Sequence, residues 1–126
     1  KVAPNLRVGN GLDARFLSHD PAVVAAYRAD SRVHDRIAAR LALFIAEAGP
    51  ATLAEAPRWS VPTLLLWAGQ DKLVNPAGSL AFAAAAPKQV LTSKCFDGLY
   101  HEIFNERDSE PVFAMLRSWL EQRFAA

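Results

Sequence analysis

The spacing of apolar positions changes about halfway along the chain, and the change predicts two different kinds of structure. Residues 1–19 keep no sustained period and contain Asn10-Gly11, a turn signal, so they read as an irregular lead-in. Asp20-Pro21 sets an N-cap residue before a proline at the first helical position, which predicts a short helix to about Arg28. A second helix is expected over about Arg32–Ala48. Its apolar positions Val33, Ile37, Leu41, Phe44, Ile45 and Ala48 repeat as one buried face, and Gly49-Pro50 should end it. Thr52–Ala56 adds one further turn.

From Val61 the helical spacing disappears. Val61-Pro62-Thr63-Leu64-Leu65-Leu66-Trp67-Ala68 is a continuous apolar run, the pattern of a strand covered by helices on both faces. Pro62 stands at its start, where a missing N–H is tolerated. Asn75-Pro76 then opens an alanine-rich helix through about Ala86, and Pro87 stops it. Gln89–Phe96 is a second strand, Asp97–Arg107 a loop, and Ser109 the cap of a final helix. That helix has Pro111 in its first turn and Val112, Leu116, Trp119, Leu120 and Phe124 along one face. Strand, helix, strand, helix predicts an α/β fold with two parallel strands joined by a right-handed crossover. The loops after both strands then share the sheet edge where α/β folds build sites. Asp71 lies in the first loop and His101 in the second.

Composition narrows the function classes. Of 126 residues, 52% are hydrophobic, and 14 basic against 13 acidic residues leave a net charge of +1. Disorder is excluded, and no basic excess exists to neutralise phosphates, so nucleic acid is not an expected partner. The apolar share slightly exceeds the roughly 45–50% usual for a soluble domain, which leaves apolar surface for a partner. The single Cys95 excludes an internal disulfide and fits a reducing compartment, hence an expected cytoplasmic location. It sits in a strand beside one basic neighbour, Lys94, as a buried, unreactive thiol would. No apolar run approaches the roughly 20 residues of a bilayer span. No signal-peptide core follows Lys1, and the true N-terminus is expected upstream.

Asp71 and His101 are the candidate chemistry. A carboxylate that accepts a hydrogen bond from one imidazole nitrogen fixes the tautomer and stabilises the imidazolium. The second nitrogen can then take a proton from a hydroxyl nucleophile. From residue types alone, an Asp after a strand is more often a turn or N-cap residue, and a loop His is most often simply exposed. The surrounding sequence narrows this. Val61–Val74, with Gly69-Gln70-Asp71-Lys72, resembles the segment that carries the triad acid in α/β-hydrolases. Asp97-Gly98-Leu99-Tyr100-His101-Glu102-Ile103-Phe104-Asn105-Glu106 resembles the triad-histidine loop of the monoacylglycerol lipase and lysophospholipase-like subgroup. Leu17-Ser18-His19-Asp20, Tyr27-Arg28-Ala29-Asp30 and Val33-His34 look like that subgroup's helical cap.

The resemblance implies the C-terminal part of an α/β-hydrolase fold. Residues 1–57 would be a cap segment and 58–126 the end of the core. Asp71 and His101 would be triad members, and Glu102, Asn105 and Glu106 would fix the histidine loop. The substrate would be a lipophilic carboxylic ester of monoacylglycerol or lysophospholipid type, with no metal or organic cofactor. The departure is the nucleophile. None of the seven serines, Ser18, Ser31, Ser60, Ser79, Ser93, Ser109 and Ser118, lies in a Gly-x-Ser-x-Gly elbow. The resemblance therefore implies that serine and oxyanion hole belong to an N-terminal half, the expected partner of this chain. Alone, the chain is expected to be inactive.

Other features are weaker. Leu41 and Phe44 on the second helix, with Leu73 and Ile103 beside the catalytic loops, are either core or the lining of an acyl-chain site. Arg32, Arg36 and Arg40 form an i+4 stripe, either a solvated face or a transient contact with anionic lipid. His19-Asp20 and His34-Asp35 lack the further ligands of a metal site. The Val61–Ala68 strand would keep an open edge, a template for self-association through which a non-catalytic module could also bind a partner.

Overall fold

In the computed structural model, which describes residues 3–124, the chain forms two small sheets and four α-helices. The first sheet is antiparallel. β1 (Arg7–Gly9) pairs with β2 (Arg36–Ala38), with Val8 opposite Ile37. Between them a short turn of 3-10 helix (Ala14–Phe16) leads into α1 (Pro21–Ala29), whose first turn is capped by the Asp20 carboxylate accepting the Ala22 N–H at 2.8 Å. α2 (Ala39–Glu55) follows β2 directly.

Five expectations for this N-terminal layer are corrected. The lead-in is not irregular, since residues 7–9 pair with a strand; Lys1 and Val2 lie outside the described residues. The second helix starts at Ala39, not Arg32, because pairing draws Arg36–Ala38 into extended backbone. The Ala39 N–H then bonds the Leu6 carbonyl at 2.8 Å. The arginine stripe dissolves with it: Arg32 pairs with Asp30, Arg36 lies in β2, and only Arg40 is on α2. The helix also runs through Gly49-Pro50. Pro50 forfeits one helical hydrogen bond, and the freed carbonyl of Ala46 stands on an exposed position open to water. Finally, α2 buries no residue. Leu41, Phe44 and Ile45, expected on a buried face, are exposed.

The C-terminal half matches the expected order. β3 (Thr63–Ala68) and β4 (Leu91–Phe96) pair in parallel, Thr63 opposite Leu91 through Ala68 opposite Phe96. α3 (Ala77–Ala85) joins them and α4 (Glu110–Phe124) closes the chain. Alternate side chains of β3 face opposite layers, as the two-residue period of a strand requires. Leu65 and Trp67 pack with Phe82, Ala83 and Ala86 of α3 and its end, and with Ala56 and Trp59. Leu66 and Ala68 pack with Val112 of α4 and with Ile103. Helices therefore cover both faces, although residues 63–67 remain half-buried, since among the described residues no third strand lies along the outer edge of β3. On α4 the expected face is shortened. Val112 is buried and Leu116 and Trp119 half-buried, while Leu120 and Phe124 point outward.

Among the described residues, no helix is long and apolar enough to cross a membrane. Cys95 is half-buried. Burial first, then the Asp97 carboxylate beside it, pushes its thiol above the ordinary range, so it is a poor nucleophile.

Candidate active site

The two loops that leave the parallel strands are zipped together at once. Beyond the last ladder pair the Gly69 N–H donates to Phe96 O at 2.9 Å, and the Gln70 N–H to Leu99 O at 3.1 Å. A Cβ at position 69 would stand 2.6 Å from the Asp97 Cα, so only glycine permits this approach. The contact carries the register of the sheet into its edge and brings Asp71 and His101 together.

The Asp71 carboxylate is used on both oxygens. Oδ1 accepts the N–H groups of Leu73 at 2.8 Å and Val74 at 2.9 Å, which folds the turn after β3. Oδ2 lies 2.8 Å from His101 Nδ1. Burial pushes the Asp71 carboxyl up, but the His101 hydrogen bond and the N–H groups of Val74 and Leu73 outweigh it and hold the carboxyl below its ordinary value. An ionised carboxylate can only accept, so Nδ1 must carry the proton. The lone pair of the neutral ring therefore lies on Nε2, which among the described residues has no hydrogen-bond partner. The Asp71 side chain is 11% exposed and that of His101 35%. Asp71 is sheltered, and His101 borders an open cleft of about 420 Å³, lined by Leu66, Ala68, Val74, Ile103, Phe104 and Asn105 among others.

The histidine loop is held from behind. Glu106, an expected support, is buried beneath it. Its Oε1 accepts the Tyr100 N–H at 2.7 Å and lies 2.9 Å from His19 Nδ1. Its Oε2 accepts the His19 N–H at 3.0 Å and lies 3.2 Å from the Ser18 hydroxyl. That hydroxyl divides its one proton between Glu106 and the Asn105 carbonyl, 3.1 Å away. The His19 and Tyr100 rings stack at 3.6 Å. Glu102 and Asn105 bond each other at 2.8 Å. With Asp20 capping α1 and His19 occupied by Glu106 and Tyr100, the His19-Asp20 pair is a structural element.

The remaining candidates scatter. Ile103 lines the cleft but is mainly core against Ala68 and Val112. Leu73 is half-buried outside the cleft, where Val74 takes the position expected of it. Leu41 and Phe44 lie on exposed α2 and line none of that cleft. Among the described residues, no serine hydroxyl bonds the His101 ring. Sequence reasoning missed the Gly69–Asp97 contact and the tie from Ser18 and His19 to Glu106. A glycine directly after an apolar strand was the available signal for the first.

The family model described as serine aminopeptidase, S33 matches residues 1–108. The chain belongs to that family of α/β-hydrolases. Among solved structures, this S33-family chain is similar to the monoacylglycerol lipase of Paleococcus ferrophilus, with a TM-score of 0.89 and 33% identity over 95% of this chain and 47% of that one. Among curated proteins it is 36% identical to the monoacylglycerol lipase of Mycolicibacterium smegmatis, over 95% of this chain and 43% of the relative. It is 28% identical to phospholipase YtpA of Bacillus subtilis, over 96% and 47% respectively. The chain thus spans less than half the length of these relatives, and its parallel pair with flanking helices is part of an α/β-hydrolase fold.

Proposed function

We propose that this chain supplies the acid–base pair of a serine hydrolase that cleaves lipophilic carboxylic esters, of monoacylglycerol or lysophospholipid type. The observation that carries the reading is the hydrogen bond of 2.8 Å from His101 Nδ1 to Asp71, which leaves Nε2 open at the mouth of the cleft. The serine and oxyanion hole come from a segment outside this chain. As that serine attacks the ester carbonyl carbon, its hydroxyl proton passes to His101 Nε2. Asp71 stabilises the imidazolium. When the tetrahedral intermediate collapses, the C–O bond to the alcohol breaks and Nε2 returns the proton to the leaving oxygen. Water, deprotonated by the same nitrogen, then hydrolyses the acyl-serine. Residues 1–57 serve as part of the cap. Of the four apolar candidates, Ile103 lines the cleft and is the candidate to meet the acyl chain within this chain. Leu73, Leu41 and Phe44 would do so only if the upstream segment extends the cleft toward them. A reducing, cytoplasmic setting accords with the single unpaired Cys95.

The exposed surface supports a partner segment. The chain exposes 8765 Å², against about 6,600 Å² expected for a compact monomer of 13.7 kDa. The test is reconstitution. The chain is joined to, or co-expressed with, the segment encoded upstream, and hydrolysis of a p-nitrophenyl acyl ester and of a monoacylglycerol is followed. Turnover by the pair and none by this chain alone is expected. An upstream segment without a Gly-x-Ser-x-Gly elbow, or an inactive assembled protein, would refute the reading.

A second reading, a non-catalytic module that pairs with itself, is favoured by the outer edge of β3 and the adjacent Val61, 57% exposed. Sedimentation separates the two: association that persists in the presence of the upstream segment supports the module, and association abolished by it supports the hydrolase.

A further inference from the structure

The backbone around His101 is held from two places: residues 16 and 17, far away in sequence, and Glu106, six residues beyond Tyr100 in the same loop. Three consecutive N–H groups are tied down, the last two by another segment. The Tyr100 N–H goes to Glu106 Oε1 at 2.7 Å, the His101 N–H to Phe16 O at 3.5 Å, and the Glu102 N–H to Leu17 O at 2.8 Å. Residues 16–19 therefore lie along the histidine loop, and Glu106 locks the two together. Its carboxylate is 2% exposed and receives four polar contacts, from Ser18, the His19 backbone and ring, and Tyr100. A buried carboxylate so fully engaged is costly to bury and costly to disturb. None of these contacts reaches the cleft or the His101 ring, so Glu106 has no direct part in the chemistry proposed above.

We propose that Glu106 is a positioning residue: by clamping Tyr100 to Ser18 and His19, it fixes the backbone on which His101 meets Asp71. The inference rests on the hydrolase reading. A carboxylate is needed because four donors converge on two oxygens. A neutral amide in its place offers one acceptor oxygen and turns an NH2 group toward donors. Losing the Tyr100 tie frees the residue next to His101, and the loop then moves relative to Asp71, which is fixed independently by the turn at Leu73 and Val74. A misplaced base slows the chemical step more than it weakens ester binding in a cleft lined by other residues. It also weakens the Asp71–His101 hydrogen bond that favours the imidazolium. A residue that only stabilised the fold would reduce the amount of active enzyme without lowering kcat per active site.

The experiment uses the assembled enzyme, with Glu106→Gln, Glu106→Asp and, as reference, His101→Ala. The p-nitrophenyl ester is the substrate, and kcat per active site and KM are measured below each variant's unfolding temperature. Glu106→Gln should lose kcat by about 10²-fold, as for a catalytic group displaced by about 1 Å, with KM unchanged. Glu106→Asp keeps the charge but shortens the reach, and should fall between. If Glu106→Gln does not fold, Glu106→Asp is read by the same criteria. If His101→Ala abolishes turnover while the Glu106 variants keep kcat per active site, the positioning role is wrong and the hydrolase reading stands. If His101→Ala itself leaves turnover intact, the hydrolase reading fails, and the positioning role fails with it.

Discussion

Gly69 runs so close to Asp97 that any Cβ at position 69 would stand 2.6 Å from the Asp97 Cα and 3.0 Å from its carbonyl oxygen. Both atoms are backbone, so no side-chain rotation relieves the overlap. Gly69→Ala should force the two loops apart at the point where they deliver Asp71 and His101. The expected cost is about 1–3 kcal/mol of stability, the usual range for overpacking. Ester turnover should fall as well. Urea unfolding of the assembled enzyme, with kcat measured on the same preparation, checks both.

Asp71→Asn preserves shape and removes charge. The amide can present its NH2 group to Nδ1, which would then carry the lone pair, and Nε2 would hold the proton and could not act as base. In a serine triad, that wrong tautomer lowers kcat by about 10⁴-fold. The same loss is expected here with KM little changed, measured with the p-nitrophenyl ester.

Acid should destabilise the protein through two carboxylates. Burial raises both, but hydrogen bonds prevail: those from His101, Val74 and Leu73 hold Asp71 below 3.8, and those from Tyr100 and His19 hold Glu106 below 4.5. A group with a lowered folded-state pKa stabilises the fold above its ordinary value. That contribution is lost as pH falls through the lowered one. The unfolding temperature should therefore be insensitive to these groups above about pH 5 and decline below it. Glu106→Gln should flatten the decline, and an equally steep decline in that variant would show that other carboxylates govern it.

The two halves of the chain were not equally legible. The parallel pair, α3 and the Asp71–His101 relationship follow from local signals: a continuous apolar run, a proline at each helix start, and a distinctive histidine loop. The N-terminal layer depends on distant partners. Nothing within Arg32–Ala48 reveals that Arg36–Ala38 meets Arg7–Gly9, and the apolar period there suits a helix well. The period also implied a buried face on α2. Yet Phe44 is 64% exposed, since periodicity states which positions share a face and not whether anything covers it. The support of His101 by Ser18 and His19 is likewise a contact over 87 residues to Glu106, invisible to spacing.

Burial separates two residues that the sequence treats alike. Ile103 is 6% exposed in the core beneath the histidine loop. Ile103→Ala should cost about 2–5 kcal/mol. Phe44→Ala, on the exposed face of α2, should change the stability of this chain by no more than about 0.5 kcal/mol. A larger loss for Phe44→Ala in the assembled enzyme than in this chain would mark α2 as a surface that the upstream segment covers.

The most direct test of the central claim is the kcat/KM of the assembled enzyme for a p-nitrophenyl ester, before and after His101→Ala. Removing the group proposed to relay the serine proton is expected to eliminate all but residual turnover, a loss of about 10⁴-fold or more. Unchanged turnover in the His101→Ala enzyme would mean that His101 is not the base and that its bond to Asp71 serves only the fold.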